Sequence, residues 1–520
     1  MKLEARDVSE GSFLLEFPDS SDDEGNGAAI AIAARLSARR PQGFLDAIPG
    51  ARTLFVLFDP RTVDRDALLR RVRRAAEETA AALPESRLFR IPVAYGADNG
   101  PDLAALARDR GLDADELVRR HAAAEYRVAF LGFSPGFAYL TGLPHGLSAP
   151  RRASPRPRVP AGSVAIGGEY TAVYPVESPG GWRLIGRSPV RLFDPFAEPP
   201  ALFRPGDRVR FESIDAEELE RRFAAGASRV QPAVVEGDPV FSAIASGLFT
   251  TVQGAPRYGL GSCGVPAGGA MDPAALERGN AIIGNRPEAA ALEISLSGPE
   301  LRALDDAVVC VSGAELGALW NGKSVDLDAP FEVRAGDHIG FRYACRGARA
   351  YLCVQDGLVE RLPGEPVRRL ARGDVVSRAR PARRAGTASP PPAVDLPQNS
   401  LVLRVLPGPQ SGFFRAAADT FFSGTYRVSP ESDRRGIRLD GPAVELHRPP
   451  DIPPEGTALG AIQIPASGLP IVLGPDRPVT GGYAKIATVV ARDWPHLAQS
   501  PPGTAIRFNV ISLEEAVEGL

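Results

Sequence analysis

Short apolar runs separated by glycine and proline dominate the chain from Tyr126 to Phe211, where LGFSPGFAYL, VPAGSVAIGG, SPGGWRLIGRSP and RPGDRVRF follow in turn. That spacing predicts many short strands joined by tight turns, as in a barrel or sandwich. The same texture returns from Phe241 to about residue 378 and from Leu401 to Ile511. Ahead of the first β-rich region the pattern is mixed. TLFVLFD reads as a strand, and Asp64 to Leu83 as a helix with Leu68, Leu69, Val72 and Ala76 on one face and arginines opposite. A second helix is predicted after Gly111, opened by Asp113 and Glu116 in a D-x-x-E start and ending near His121. Glu217 to Ala224 reads as a short polar helix. The one good helix inside the second β-rich region runs from Pro273 to Ile283, with Asp272 as N-cap and Gly284 as the stop.

These elements predict a mainly β chain with α+β parts. The expected units are a small α+β domain at 1–85, a barrel at 86–224, a linker at 225–238, a β module at 239–378, a linker at 379–399 and a second β module at 400–520. The linker 379–399 stands out by its Pro, Arg and Ala content. A length of 520 residues independently predicts three or four domains.

Composition narrows the function classes. A net charge of −3 gives no general reason to expect nucleic acid or an anionic membrane as partner. No window of about 18 apolar residues predicts a membrane span, and MKLEARDVSEGSF has no apolar core of a signal peptide. Cys263, Cys310, Cys345 and Cys353 form no CxxC pair, which suggests reduced thiols in a cytoplasmic protein. Lysine occurs only at Lys2, Lys323 and Lys485, so each is worth inspecting.

Two literal motifs fail on chemistry, and a third pattern is missing. GFSPG at 132–136 fits the G-x-S-x-G elbow, but the residue after the serine is Pro135, which has no N–H to offer an oxyanion. GALWNGKS at 317–324 fits the Walker A pattern, yet an alternating β-like stretch follows it and Asn321-Gly322 is a hairpin turn signal. A biotin carrier presents a lysine between methionines, and Met1 and Met271 adjoin no lysine. No biotin is expected on this chain.

Other residues allow two readings each. His121 at a helix C-terminus is either a dipole-stabilised imidazolium or a polar group in a cleft. Arg151, Arg156 and Arg158, fixed by prolines, suit either a solvated surface or a carboxylate or phosphate ligand. Trp182 is core or ligand platform. Asp272 is N-cap or site acid, Glu293 a buried paired carboxylate or site acid, and Lys485 a strand end or an anion ligand.

Taken together, His121 with EYRVAFLGFSPGFAYLTGLP, the SPR–VPAGSV arginines and PGGW resemble the smaller partner in the family related to allophanate hydrolase and urea carboxylase, which includes the B component of bacterial 5-oxoprolinase. GLFTTVQ, GVPAGGAMD, ALEISLSGPEL, VLPGPQ, SDRRGIRLDG, IQIPASGLPIVLGPD and TGGYAKIATVVARD resemble the larger partner, or C component. The two are fused here, small one first. The resemblance implies tandem cyclophilin-like β-barrels preceded by a small α/β domain. It implies ATP-dependent conversion of 5-oxoproline to glutamate, with ATP, magnesium and a separate A component, and is compatible with a homo-oligomer. The ligand-binding positions it implies are Pro135, Gly136, Arg151, Arg156, Arg158, Ser163, Gly180, Gly181 and Trp182 in the first half. In the second they are Gln253, Arg257, Arg438, Gln463, Thr480, Gly481, Gly482, Tyr483 and Lys485. His121, Asp272 and Glu293 are the implied acid–base residues. Departures cluster in the middle region: Gly254 and Pro256 in VQGAPR, Asp356-Gly357 after YLCVQ, the shortened RLPGEPVRRLARGD, and, further on, Arg435 in SDRRG. They keep open a regulatory module that binds a sensor kinase; urea or allophanate chemistry stays open because those substrates share the planar amide.

Overall fold

The computed structural model describes residues 2–79, 86–152, 154–227, 237–365, 367–379, 389–393, 395–397, 399–414, 417–446 and 449–519. Most of the two expected linkers, 225–238 and 379–399, and the end of the helix expected to reach Leu83 lie outside the described residues.

The N-terminal domain is an antiparallel sheet of β1 (Glu4–Ser9), β2 (Ser12–Glu16), β3 (Phe44–Pro49) and β4 (Thr53–Phe58), in the order β1-β2-β4-β3. Helices α1 (Asp22–Arg39) and α2 (Arg65–Thr79) cover one face. A capping box between Ser21 and Glu24 starts α1. Side chains alternate along a strand. Phe13, Leu15, Leu54 and Val56 therefore meet Ile32, Leu36, Leu68 and Val72 of the helices. Leu14 and Phe55 point the other way, and with Ile48 they meet Ala458, Ala461, Leu473 and Val479 of the C-terminal half. Burial on both faces explains why FLL at 13–15 and LFVLF at 54–58 are unbroken apolar runs. The domain is thus clamped by apolar burial onto a distant part of the chain, with Leu14 and Phe55 against Leu473 and Val479.

The next unit is a closed barrel made from β5 (Leu88–Tyr95), β6 (Glu125–Leu131), β7 (Ala138–Thr141), β9 (Ser163–Gly167), β10 (Tyr170–Val173), β12 (Arg183–Arg187) and β13 (Arg208–Ser213). A side ribbon pairs β8 (Arg156–Val159) with β11 (Ser178–Gly180). Helices α3 (Leu103–Asp109) and α4 (Ala114–Ala123) pack on the barrel core. Asp113 caps α4 as expected, accepting from Glu116 N at 2.7 Å. Helix α5 (Ala216–Ala227) follows the barrel.

The middle module is built from β14 (Asp238–Ala245), β15 (Phe249–Gln253), β16 (Ala291–Ser295), β17 (Glu300–Ala303), β18 (Ala307–Glu315), β19 (Leu319–Trp320), β20 (Lys323–Ser324), β21 (Pro330–Val333), β22 (His338–Gly340), β23 (Arg346–Val354) and β24 (Val375–Arg378). Lys323 lies in the β19–β20 hairpin, whose turn residues Asn321 and Gly322 both have positive φ, which excludes the Walker geometry. Helix α6 (Pro273–Ile282) crosses the module with Asp272 as its N-cap.

The C-terminal unit comprises β25 (Ser400–Pro407), β26 (Tyr426–Val428), β27 (Gly436–Asp440), β28 (Asp451–Gly456), β29 (Ala461–Gln463), β30 (Ile471–Leu473), β31 (Thr480–Tyr483), β32 (Lys485–Val489) and β33 (Ala505–Val510). Around its wall the order is β25-β32-β29-β30-β27-β26-β33, and in the first barrel it is β5-β12-β9-β10-β7-β6-β13. The two barrels match strand for strand. Each closes with its first and last strands parallel, and each carries one side ribbon, β8–β11 or β28–β31.

The middle module departs from the expected barrel. It splits into a six-stranded and a five-stranded sheet, with β24 and β15 left as edges. The segment between residues 358 and 375 lies between those edges: Val359 N donates to Ser377 O and Leu370 N to Thr250 O. Pro363 offers no ladder N–H and Gly364 and Gly373 have positive φ, and among the described residues of 361–374 no strand bridges β15 and β24.

Candidate functional site

In the first barrel most of the expected side chains are engaged by other residues of the barrel and its ribbon. His121 is fully buried, so it is not the polar group in a cleft that one of its two readings expected. Helix α4 turns it into the barrel core, stacked on Phe211 at 4.7 Å. Thr171 Oγ1 donates to Ala165 O at 3.0 Å, so it accepts from His121 Nε2–H at 3.0 Å, and Nδ1 accepts from Tyr95 OH at 2.9 Å. Burial lowers the imidazole pKa from 6.5 to about 3. The dipole-stabilised cation is therefore absent as well. Below pH 6.5 an unfolded chain takes a proton that the native barrel refuses. Stability is present above that pH and falls as pH drops from there toward 3, by up to about 1.4 kcal/mol per pH unit. Nitrogen NMR should show a neutral Nε2–H tautomer at about pH 5, between the two values; an imidazolium signal there would contradict the assignment.

Trp182 sits in an aromatic wall, edge-on to Phe137 and Tyr139 at 5.6 Å each. A Cβ on Gly167 would stand 2.4 Å from its indole. Arg156 donates to Asp102 at 2.8 Å and Arg158 to Glu177 at 2.8 Å, so acids already meet these two guanidiniums. Burial opposes the Asp102 charge, but Arg156 and the Leu184 N–H outweigh it and hold that carboxyl below its ordinary range. Arg151 is exposed. Ser163 Oγ donates to Pro160 O.

Asp272 and Glu293 meet at a second place, where the middle module adjoins the C-terminal barrel. Glu293 is fully buried; Oε1 accepts from Arg434 Nη1 at 2.6 Å, and Oε2 from Met271 N at 2.7 Å and Tyr351 OH at 2.8 Å. Arg434 also donates to Asp476, to Gly269 O at 2.6 Å and to Gln253 Oε1 at 3.3 Å. Burial works against the Arg434 charge, yet Glu293 and Asp476 more than offset it and hold its pKa above the ordinary value. Asp272 accepts from Ala275 N and, at 2.7 Å, from Gln499 Nε2, and burial raises its pKa. This is a saturated network tying two modules, with Gln253 as one member. Arg257 lies outside it, donating to Arg361 O. Arg438 is exposed on β27.

The expected residues Gln463, Thr480 and Lys485 are buried around β28 and β31, behind a cavity that their neighbour Glu455 lines. The register of β28 and β31 sets Glu455 opposite Gly481, while β29 and β32 set Gln463 opposite Lys485. Lys485 is fully buried; its Nζ lies 2.7 Å from Glu455 Oε1 in an ion pair without a directed hydrogen bond. Gln410 Nε2 donates to the same Oε1 at 2.8 Å. Thr480 Oγ1 and Thr53 Oγ1 are also buried without a hydrogen-bond partner. Unmet polar atoms this dense are uncommon in a finished core. A cavity of about 320 Å³ opens onto the cluster, lined by Phe17, Arg52, Thr53, Gln410, Pro453 and Glu455 among others. Its walls come from both ends of the chain. Gly50 closes against Glu455, where a Cβ would stand 2.9 Å from Cα, and Ala51 N donates to Pro454 O.

The GFSPG turn joins this seam. Gly132 O accepts from Val479 N at 2.9 Å, and Gly136 N donates to Cys263 O at 2.9 Å. Residues 132–136 thus touch both the C-terminal barrel and the middle module.

Residues 3–203 match the carboxyltransferase domain, subdomain C and D, and residues 263–510 match subdomain A and B. The B component of 5-oxoprolinase from Escherichia coli O157:H7 is 51% identical over 32% of this chain and 77% of its own length. The C component from Haemophilus influenzae is 33% identical over 52% of this chain and 90% of its own. The chain belongs to the carboxyltransferase-like family of the 5-oxoprolinase B and C components. The solved structure of TTHA0988 is 35% identical, covers 97% of this chain and 100% of its own, and superposes with a TM-score of 0.81.

In this fused B–C chain the boundary between the two components becomes an internal seam. The two barrels share one architecture, and PGGW at the end of β11 corresponds to TGGY in β31. Two residues on from the aromatic stands Leu184 in the B half and Lys485 in the C half. At this matched position the first barrel is apolar and the second is charged. Glu455, Gln410, Arg52 and Arg434 were missed from the sequence. Arg434 had a signal in SDRRG; Glu455, inside DIPPEG, had none.

The B–C seam also yields a prediction. A Cβ at residue 132 would lie 2.0 Å from Thr480 Oγ1. Gly132→Ala should push the halves apart, destabilising the protein by about 1–3 kcal/mol. A lower thermal midpoint and faster proteolysis between the halves are expected; an unchanged midpoint would contradict the close approach.

Proposed function

We propose that the chain is the B–C component of an ATP-dependent 5-oxoprolinase, working with a separate A component, and that the cavity at the Glu455–Lys485 pair receives the lactam. The observation that carries this reading is the buried, incompletely satisfied Lys485–Glu455–Gln410 cluster beneath a cavity, in a chain related to both components. 5-Oxoproline is a small ring with one carboxylate. Arg52 at the cavity wall suits the carboxylate, and Phe17 and Pro453 suit the ring.

A lactam carbonyl is a poor electrophile. Transfer of the terminal phosphoryl group of ATP to the lactam oxygen, with release of ADP, turns that oxygen into a leaving group. Water then adds to the carbon and loses a proton to a base; the C–N bond breaks with protonation of nitrogen, leaving an acyl phosphate, and a second water displaces phosphate from it to give glutamate. In this reading Glu455 takes the proton from water, since Lys485 and Gln410 both contact Oε1 and leave Oε2 for that task. Lys485, paired with Glu455, offsets the developing charge on oxygen. Among the described residues no group of three His, Cys, Asp or Glu is placed to hold a metal ion. Magnesium, in this reading, arrives on the phosphates of ATP.

The test is phosphate and glutamate release by the purified chain plus the A component, with 5-oxoproline, urea or allophanate supplied separately. ATP consumption coupled to glutamate with 5-oxoproline alone supports the reading. Coupling to urea or allophanate instead, or to none from a folded chain, removes it.

A further inference from the structure

The open side of the middle module holds a second cavity. It has a volume of about 280 Å³ and lies between the edge strands β15 and β24, lined by none of the residues that line the Glu455 cavity. Its floor is apolar, formed by Val252, Leu292 and Val376. Its rim is basic. Arg361, Arg368 and Arg369 line it against a single carboxylate, Asp374, so three positive charges less one negative leave +2. Arg368 pairs with Asp374. The Arg369 guanidinium lies 4.7 Å from the centre of the Phe249 ring, which fixes its plane while leaving its N–H edges free for an acceptor. Arg257 donates to Arg361 O at 2.6 Å and holds the loop in place.

These features coincide where the two flanking barrels are closed and this module is not. An edge strand is usually blunted by charge or covered. Here the covering segment carries arginines toward a cavity instead of sealing it. Guanidinium forks match phosphate oxygens in geometry and charge. We propose that this cavity is a binding site for a phosphorylated small molecule with at least two negative charges, whose phosphates engage Arg361, Arg368 and Arg369 and whose uncharged part rests on the apolar floor. The site goes beyond the lactam reading and does not depend on it.

The experiment is calorimetric titration of the full chain, without any A component, with pyrophosphate, ADP and ATP in turn at low ionic strength. The same titrations follow on the double variant Arg368→Ser, Arg369→Ser. Both residues are exposed, so the variant should fold, and its ligand-free thermal midpoint checks this. Saturable binding of pyrophosphate is expected, weakened in the variant by roughly tenfold or more, the effect of losing one charge-assisted hydrogen bond. Tighter binding of ADP than of pyrophosphate would assign the floor to a nucleoside; equal binding would assign the site to phosphate alone. No binding of any of the three, or unchanged affinity in a folded variant, overturns the proposal. Because turnover plays no part, this outcome is independent of the 5-oxoproline assay.

Discussion

Glu455→Gln should lower 5-oxoproline-dependent turnover by roughly 10²–10⁴-fold, the range for removal of a positioned general base. The amide keeps the shape and the Gln410 contact but cannot accept a proton at neutral pH. It also leaves the Lys485 ammonium buried without a counter-charge. A single variant therefore mixes a catalytic loss with a structural one. Lys485→Met exposes the structural part by stranding Glu455, at a cost of about 3–5 kcal/mol. The double variant Glu455→Gln, Lys485→Met separates the two. With both charges gone the cluster is neutral, so stability should return toward that of the wild type while turnover stays low. Recovery of turnover together with stability would assign the pair a purely structural role.

The second large effect is expected away from that cavity. Arg434→Ala removes the group that holds Glu293, Asp476, Gln253 and Gly269 together across two modules. Glu293 keeps Met271 N and Tyr351 OH but loses its cation while remaining fully buried. The expected loss is about 3–5 kcal/mol, read as a lower midpoint of urea unfolding. Arg434→Lys should recover little, because one ammonium cannot reproduce a fork that reaches Glu293, Asp476, Gln253 and Gly269 at once. A stability within about 0.5 kcal/mol of the wild type would show that the network is not the tie described here.

The residues that carry these effects were unequally legible in the sequence. The N-cap roles of Asp113 and Asp272 were readable because capping is local: Asp113 meets Glu116 and Asp272 meets Ala275, one turn on. The barrel texture was readable for the same reason, turn by turn. Lys485 drew attention through the scarcity of lysine. Its partner did not, since Glu455 faces Lys485 only through the registers of β28–β31 and β29–β32. The arginines near residue 151 looked like an anion cradle because Asp102, which meets Arg156, is far away in sequence. His121 was misplaced by a similar limit. A helix pattern shows where α4 ends, not which side faces the barrel core. The resemblance to the B and C components implied three barrels, but the middle module divides into two sheets whose edges do not pair.

The seam itself, where the N-terminal sheet seats on the C-terminal barrel and walls the cavity, depends on contacts between the two ends of the chain. The most direct measurement is a crystal structure of the chain soaked with 5-oxoproline. The expected result is the ligand in the cavity between Arg52 and Glu455, its carboxylate toward Arg52 and its lactam toward the Lys485–Glu455 pair. Ligand bound in the first barrel or in the middle module, with this cavity empty, would contradict it.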